Sequence, residues 1–230
     1  NSGHGIAIFN CIDVHCKYNY VNGANHLVVY KASDRATAMV NTDAVCAYNI
    51  GINNDGSLFP KTMSGVKFYN NTTYADNANI IDRAGGVYVL ASPGAAINNV
   101  FKNNLFIDRT PFKAGLVVIE IGQPGSLSGF VSDYNIVYSE NNKIADISST
   151  EYTWAGWQGL GYDTNSLNQD VDFTSISAND FSPIAPISNG EDLVINYDDG
   201  LDINTNYTNL IPVVITKLQS AVWQNGAYLL

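Results

Sequence analysis

An asparagine recurs at nearly constant spacing along residues 1–140, and this repeat constrains the fold more than any other feature of the sequence. The intervals between the repeated residues are 30, 22, 33 and 31 positions, which fit successive turns of a solenoid. Each asparagine is followed by a strand-forming or apolar residue. The repeated residues are Asn19, Asn49, Asn71, Asn104 and Asn135.

The positions around each asparagine repeat as well, and they indicate a strand with one face in a core. The third residue before it is mostly apolar, as in Cys16 and Phe68, whereas the second residue before it is mostly polar, as in Lys17 and Lys102. Stacked parallel turns place equivalent residues about 4.8 Å apart, so the asparagine side chains are expected to hydrogen-bond one another. The sequence therefore predicts an all-β fold, a single parallel β-helix with an asparagine ladder.

A second, more apolar strand precedes most of the repeats, and its expected outer face is unusually apolar. We expect Ile6, Leu27, Val29 and Val118 to face the core, because alternate residues of a strand face opposite sides. The outer face is then either covered by a neighbouring segment or open for stacking against sugar rings. The residues expected to face outward include Val28, Tyr30, Tyr88 and Ile119, and the candidate substrate-binding residues are His26, Tyr30, Tyr88 and Glu120.

The charge of the chain restricts its partners. The 230 residues include 21 Asp and Glu but only 11 Lys and Arg, giving a formal net charge of −10. Such a chain is not expected to bind nucleic acid or an anionic membrane surface, and a polyanionic substrate would require cations such as Ca²⁺. The sequence contains no apolar stretch of the length needed for a membrane span.

The repeat, together with the C-terminal sequence, resembles the right-handed parallel β-helix superfamily, which includes pectate-lyase-like proteins, polysaccharide lyases and phage tailspikes. The C-terminal part of the resemblance lies in WQGLGYDTNS (157–166), DFSPI (180–184) and the closing GAY (226–228). The resemblance implies a right-handed β-helix with an irregular C-terminal cap, secreted or on the cell surface, with polysaccharide as its partner. Because a terminal turn normally carries a cap, we expect either that N-terminal capping material is missing from this sequence or that another domain or subunit covers the N-terminal end.

The resemblance also implies what a catalytic site would need, although no lyase motif matches this sequence residue by residue. Lyases of this superfamily neutralise a uronic-acid carboxylate, often with Ca²⁺, while a Lys or Arg removes a proton from the sugar. That chemistry needs a basic residue beside carboxylates on one outer face. Lys31, Asp34 and Arg35 are the nearest match and are the candidate catalytic residues, with Ca²⁺ as the candidate cofactor and no assigned metal ligands. Solvated charges at a strand end are the simpler alternative.

Two cysteines occupy the same repeat position in successive turns. The Cα atoms of Cys16 and Cys46 are expected about 4.8 Å apart, a separation that a disulfide tolerates. The alternative is a pair of buried thiols packed as small apolar residues, which we favour because in-register parallel neighbours rarely have suitable Cβ directions.

Three aromatic residues near the C-terminal motif also have two interpretations. Trp154, Trp157 and Tyr162 could form a platform for sugars or seal the C-terminal end of the solenoid, and the sealing role is favoured.

These observations predict β-helix turns over residues 1–140 and a capping region over residues 141–230 packed on the same solenoid. The predicted function is an extracellular protein that binds or processes polysaccharide, with a lyase acting on uronic-acid polymers as one form of it. The alternative is a non-enzymatic protein of assembly, such as an adhesin or a tailspike-like protein.

Overall fold

The computed structural model describes residues 3–32, 39–77, 84–90, 96–111, 116–193, 199–205, 207, 212–216 and 222–229. These residues form a parallel β-solenoid of about 6 turns, which confirms the predicted all-β fold.

Each of the first five turns contributes one strand to each of three parallel sheets, which we call sheets A, B and C. The strands of the first two turns are β1 (His4–Phe9), β2 (His15–Lys17), β3 (Tyr20–Asn22), β4 (His26–Lys31), β5 (Met39–Val40), β6 (Val45–Ala47) and β7 (Ile50–Ile52). The strands of the third and fourth turns are β8 (Leu58–Lys61), β9 (Met63–Ser64), β10 (Lys67–Tyr69), β11 (Thr72–Ala75), β12 (Ala84–Val89), β13 (Val100–Lys102) and β14 (Leu105–Asp108). The fifth turn consists of β15 (Val117–Ile121), β16 (Val131–Asp133) and β17 (Ile136–Ser139).

The strands stack in sequence order within each sheet. Sheet A contains β1, β4, β8, β12 and β15, sheet B contains β2, β6, β10, β13 and β16, and sheet C contains β3, β7, β11, β14 and β17. The short strands β5 and β9 pair separately. A further strand, β18 (Ala145–Ile147), extends sheet A into a sixth turn, and β19 (Thr150–Tyr152) pairs with it in antiparallel orientation.

The bend between sheets B and C explains why an asparagine recurs there. The residue directly before each ladder asparagine has a left-handed backbone, with φ between 52° and 61°. This conformation costs a residue other than glycine about 1 kcal/mol or more, so it needs compensating interactions. The residues at this position are Tyr18, Tyr48, Asn70, Asn103 and Tyr134.

The asparagine ladder supplies those interactions, as the sequence predicted. Asn19 Nδ2 donates to Asn49 Oδ1 at 2.9 Å, and Asn49 Nδ2 donates to Asn71 Oδ1 at 3.0 Å. The same contact joins Asn71 to Asn104 at 3.0 Å and Asn104 to Asn135 at 3.1 Å. Each Oδ1 also accepts the backbone N–H of the asparagine in the preceding turn, so the bends of neighbouring turns are held to one another.

The ladder ends on a buried carboxylate. Asp163 has no exposed surface, and its oxygens accept hydrogen bonds from Asn135 Nδ2 at 2.9 Å, Ser132 Oγ at 2.6 Å and Trp157 Nε1 at 2.7 Å. The Ser166 hydroxyl donates to Asp163 at 2.6 Å and accepts from the Asn135 N–H at 2.7 Å. Asp163 lies 31 residues after Ser132, and Ser166 lies 31 residues after Asn135. These two residues therefore form the bend of the sixth turn. The WQGLGYDTNS segment therefore terminates the ladder.

The C-terminal residues contact the outer face of sheet C. The helix α1 (Trp154–Gly159) packs in the main core through Trp157, and the strands that follow it are β20 (Phe173–Ser175), β21 (Asp180–Pro183), β22 (Ser188–Glu191), β23 (Asp199–Asp202), β24 (Val214–Thr216), β25 (Val222–Gln224) and β26 (Tyr228–Leu229). Phe173, Phe181 and Tyr228 pack against Ile52 and Leu105 of sheet C in a second apolar core. This core explains why both faces of sheet C are apolar.

Sheet A departs from the expected orientation in two strands. Leu27 and Val28 are consecutive, yet both pack in the main core, so the alternation shifts by one residue and Tyr30 also faces inward. Val118 and Ile119 produce the same shift in β15. The expectation that Val28, Tyr30 and Ile119 face outward and Val29 inward was therefore wrong, because a strict period of two does not hold through these irregularities.

Candidate functional site

A pocket of about 290 Å³ lies on the outer face of sheet A. It extends from residues before β4 and β8 to residues at the ends of β8 and β12. Its wall combines aromatic, aliphatic, amide and charged groups. The lining residues are Asn25, His26, Asp55, Phe59, Lys61, Tyr88 and Leu90.

Stacked rings from successive turns form the floor of this pocket. The ring centroids of His26 and Phe59 are 4.3 Å apart, and those of Phe59 and Tyr88 are 4.7 Å apart. His4 stacks on His26 from the first turn at 4.9 Å. Phe59 and Tyr88 are only 6% and 5% exposed, so their ring faces are not open for stacking against a sugar. A ligand would therefore contact the edges of the rings.

A glycine allows the rings to approach one another. Gly56 has φ of +69°, and a Cβ atom there would lie 2.8 Å from Tyr88 Cβ and 3.3 Å from His26 Nδ1. Its carbonyl oxygen accepts a hydrogen bond from His26 Nδ1 at 2.8 Å. This bond requires a proton on Nδ1, so neutral His26 has its acceptor on Nε2.

The polar lining combines both signs of charge. Asp55 contributes a carboxylate and Lys61 an ammonium group, and both residues are half-buried. Lys31 lies directly beside Lys61 in the neighbouring strand, with its Nζ 5.5 Å from the centre of the Phe9 ring. Burial, followed by repulsion from Lys31, lowers the pKa of His4 at the end of the ring stack. The pocket thus offers hydrogen-bond donors and acceptors around a small apolar floor.

The structure brings some of the predicted site residues together and separates others. His26 and Tyr88 line the pocket, and Lys31 is adjacent to it. Glu120 is the register partner of Tyr88 in the next strand. Tyr30 is fully buried, and its hydroxyl donates to the carbonyl oxygens of Val14 and Val45, so it is a core residue and does not contact a ligand.

The other two candidate catalytic residues, Asp34 and Arg35, lie outside the described residues. Their relation to Lys31 therefore remains a prediction.

Sequence reasoning missed Asn25, Asp55, Phe59, Lys61 and Leu90. Asp55, Phe59 and Lys61 belong to the shortest repeat interval, 22 residues, in which the sheet A strand is hard to recognise. The repeat did contain a signal for Lys61. Lys61 follows Lys31 by 30 positions, which is also the interval from Asn19 to Asn49, so the two lysines occupy equivalent positions of successive turns.

The aromatic residues near the C-terminal motif have a structural role. Trp157 is fully buried and donates its indole N–H to Asp163, and Tyr162 stacks on it with ring centroids 4.4 Å apart. Both therefore close the end of the ladder and core, and Trp154 is half-buried against the same core.

The described residues do not fit a calcium site. Within them, no three His, Cys, Asp or Glu side chains form a group that could hold a metal ion, and Asp55 is the single carboxylate in the pocket wall. Calcium binding by this chain therefore stays a prediction, and no chemical step is assigned to it. In the part of the chain that the structure describes, no helix has the length and apolar character needed to cross a membrane.

Comparisons with profiles of protein families, with curated proteins and with solved structures find no match for this chain.

Proposed function

We propose that this protein binds polysaccharide through the pocket on sheet A. One observation carries the proposal: on the long side of a parallel solenoid, one pocket combines an apolar ring floor with Asn25, Asp55 and Lys61. Binding sites for small molecules and single sugar units are typically concave, with an apolar lining and a few convergent polar groups. A side groove along a solenoid also suits a linear polymer.

The chemistry of the pocket favours a hydroxyl-rich ligand. Amide, carboxylate and ammonium groups together donate and accept hydrogen bonds, which matches the hydroxyl groups of a sugar. The edges of Phe59 and Tyr88 and the side chain of Leu90 supply contacts for the C–H groups of the ring.

The proposed superfamily, cellular location and reaction rest on the sequence. The ladder and the terminating motif around Trp157 and Asp163 support a relationship to the pectate-lyase-like superfamily and hence a secreted or cell-surface location. In that case Lys31 and Lys61 would be the candidate bases of a lyase acting on uronic-acid polymers. Their adjacency in register is the structural support for this part of the proposal.

Binding is tested by titrating the purified protein with a panel of neutral and uronic-acid oligosaccharides in a calorimeter. We expect Lys61→Ala and Asp55→Asn each to weaken binding about tenfold, the effect of one lost hydrogen bond to a charged group. Lys67→Ala is the matched control, because Lys67 is also half-buried but lies in sheet B, away from the pocket. Equal affinities for Lys61→Ala and Lys67→Ala would contradict the proposed site.

Lyase activity is tested separately, by ultraviolet absorbance of unsaturated products from uronic-acid polymers with and without Ca²⁺. Binding without new absorbance would support a binding protein and exclude the lyase on the polymers used. Absence of binding across the panel would instead favour the assembly role, for which sedimentation of the intact chain is the measurement.

A further inference from the structure

Two free thiols lie beside each other inside the first two turns. Cys16 in β2 and Cys46 in β6 are register partners in adjacent parallel strands, and both side chains lie in the main core. In the reduced protein they pack as small apolar residues, as the sequence favoured, and adjacent strands about 4.8 Å apart place them within the Cα separation of natural disulfides. We propose that Cys16 and Cys46 form an oxidation site, at which a peroxide converts the two thiols into a disulfide joining the first turn to the second.

The ladder asparagines orient both sulfur atoms. Asn19 Nδ2 donates a hydrogen bond to Cys16 Sγ at 3.4 Å, and Asn49 Nδ2 donates to Cys46 Sγ at 3.3 Å. Each donor is three residues after its cysteine and is itself held by the next asparagine of the ladder. Both sulfur atoms therefore lie on the core side of their strands, and the Cys46 S–H also donates to Asn71 Oδ1 of the third turn at 3.9 Å.

The two thiols differ in reactivity. Cys16 keeps 7% of its surface exposed, whereas Cys46 has none. Hydrogen bonding with Cys46 lowers the pKa of the Cys16 thiol, whereas burial raises the pKa of Cys46. Because the thiolate is the nucleophile, Cys16 reacts with the oxidant and Cys46 resolves the product.

Oxidation proceeds in two balanced steps. The Cys16 thiolate attacks one oxygen of hydrogen peroxide, the O–O bond breaks, and hydroxide leaves to take up the proton lost by Cys16. Cys16 is now a sulfenic acid. The Cys46 sulfur attacks the Cys16 sulfur, the S–O bond breaks as the S–S bond forms, and the hydroxyl group leaves with the Cys46 proton as water. Two thiols are oxidised and one peroxide is reduced to two water molecules.

The third cysteine is a separate thiol. Cys11 is exposed, lies outside the paired strands, and donates its S–H to the carbonyl oxygen of Phe9. It would react with peroxide on its own and link different molecules. The test therefore uses the Cys11→Ser protein, in which Cys16 and Cys46 are the remaining cysteines.

The test is peptide mapping of Cys11→Ser protein before and after treatment with hydrogen peroxide. Cleavage after Lys17, Arg35 and Lys61 places the two cysteines in separate peptides, 1–17 and 36–61. We expect oxidised protein to yield these peptides joined, lighter than their sum by two hydrogen atoms. We also expect its melting temperature to rise by about 5 °C and to return on reduction.

Two further variants in the Cys11→Ser background test the order of the steps. With Cys46→Ser, a sulfenic-acid trap should label Cys16, whereas with Cys16→Ser the same trap should leave Cys46 unlabelled. Recovery of both peptides unjoined from oxidised Cys11→Ser protein would overturn the oxidation site. Preferential labelling of Cys46 would overturn the assignment of Cys16 as the reacting thiol.

Discussion

The side chain of Asn49 joins three turns of the solenoid. Its Oδ1 accepts from the backbone N–H and Nδ2 of Asn19, and its Nδ2 donates to Asn71 Oδ1 and to the Cys16 carbonyl oxygen. Asn49→Leu leaves these buried partners unsatisfied, so we expect the free energy of unfolding to fall by about 3 kcal/mol, measured in urea. Asn19→Leu is the control. Because Asn19 is half-buried and has one ladder neighbour, this substitution should lower the free energy of unfolding by less. An equal loss at both positions would contradict the ladder argument.

Asp108 gives a residue-level prediction for pH. Its buried carboxyl accepts hydrogen bonds from the Thr110 backbone N–H at 2.9 Å and hydroxyl at 2.6 Å, but burial raises its pKa above the ordinary 3.8. As pH rises from 3.8 to the folded-state pKa of Asp108, this carboxyl ionises in the unfolded chain but stays protonated in the folded protein. The free energy of unfolding of the wild type therefore falls relative to that of Asp108→Asn. Urea unfolding from about pH 3.5 to about pH 7 should show this difference grow and then level off.

Asp13 provides the control of opposite sign. The backbone N–H groups of Asp43 and Thr42 donate to its carboxylate and lower its pKa. The stability that these bonds contribute is present above pH 3.8 and is lost as pH falls through the folded-state pKa. If stability changed with pH in the same direction for Asp13→Asn and Asp108→Asn, relative to the wild type, at least one of the two pKa shifts would be contradicted.

At the scale of elements, the sequence predicts stacked turns better than strand orientation. Equivalent positions of adjacent turns are neighbours in space, so the ladder repeats visibly in the sequence. Which side chains of a sheet A strand face the core depends on where two consecutive residues, such as Leu27 and Val28, both point inward. No local residue type marks the position of this irregularity. The pocket was predicted in part, through His26 and Tyr88. Phe59 and Lys61 lie in β8, the sheet A strand of the shortest turn, and the remaining lining residues lie just before or after strands, at positions that depend on the length of each turn.

The closing Gly-Ala-Tyr segment docks a C-terminal strand onto sheet C. Gly226 has φ of +86°, and a Cβ atom there would lie 2.8 Å from Thr72 Oγ1 and 3.3 Å from Leu105 Cβ. Its N–H donates to the Asn103 carbonyl oxygen at 2.9 Å, and the Ala227 N–H donates to Thr72 Oγ1 at 2.9 Å. Gly226→Ala should therefore displace this segment and lower stability by about 2 kcal/mol.

Hydrogen exchange of residues 222–229 measures this displacement, and we expect faster exchange there than in the wild type. Gly159→Ala is the matched control, because a Cβ atom at Gly159 meets nothing within 4 Å and its backbone is helical. Unchanged exchange in Gly226→Ala would mean that the segment tolerates a side chain at its bend.

At the scale of the whole molecule, stability should vary along the solenoid axis. Each turn contacts its immediate neighbours, so stability is approximately a sum of turn and interface contributions. Strands of the first turn retain exposed residues, such as Phe9 at 43%, whereas the sheet B and C strands of the third and fourth turns are largely buried. The first turn should therefore open more often than the central turns.

The ladder supplies matched probes of this gradient. The backbone N–H groups of Asn19, Asn49, Asn71 and Asn104 all donate to the Oδ1 of the next ladder residue, at 3.0, 3.1, 2.9 and 2.9 Å. Because their local hydrogen bonds are equivalent, differences in exchange report the opening of each turn. We expect the Asn19 amide to exchange at least about tenfold faster than those of Asn71 and Asn104, measured by NMR in the native state. Equal rates at all four amides would instead show that the solenoid opens as one cooperative unit, with an interface between the first two turns as strong as those at its centre.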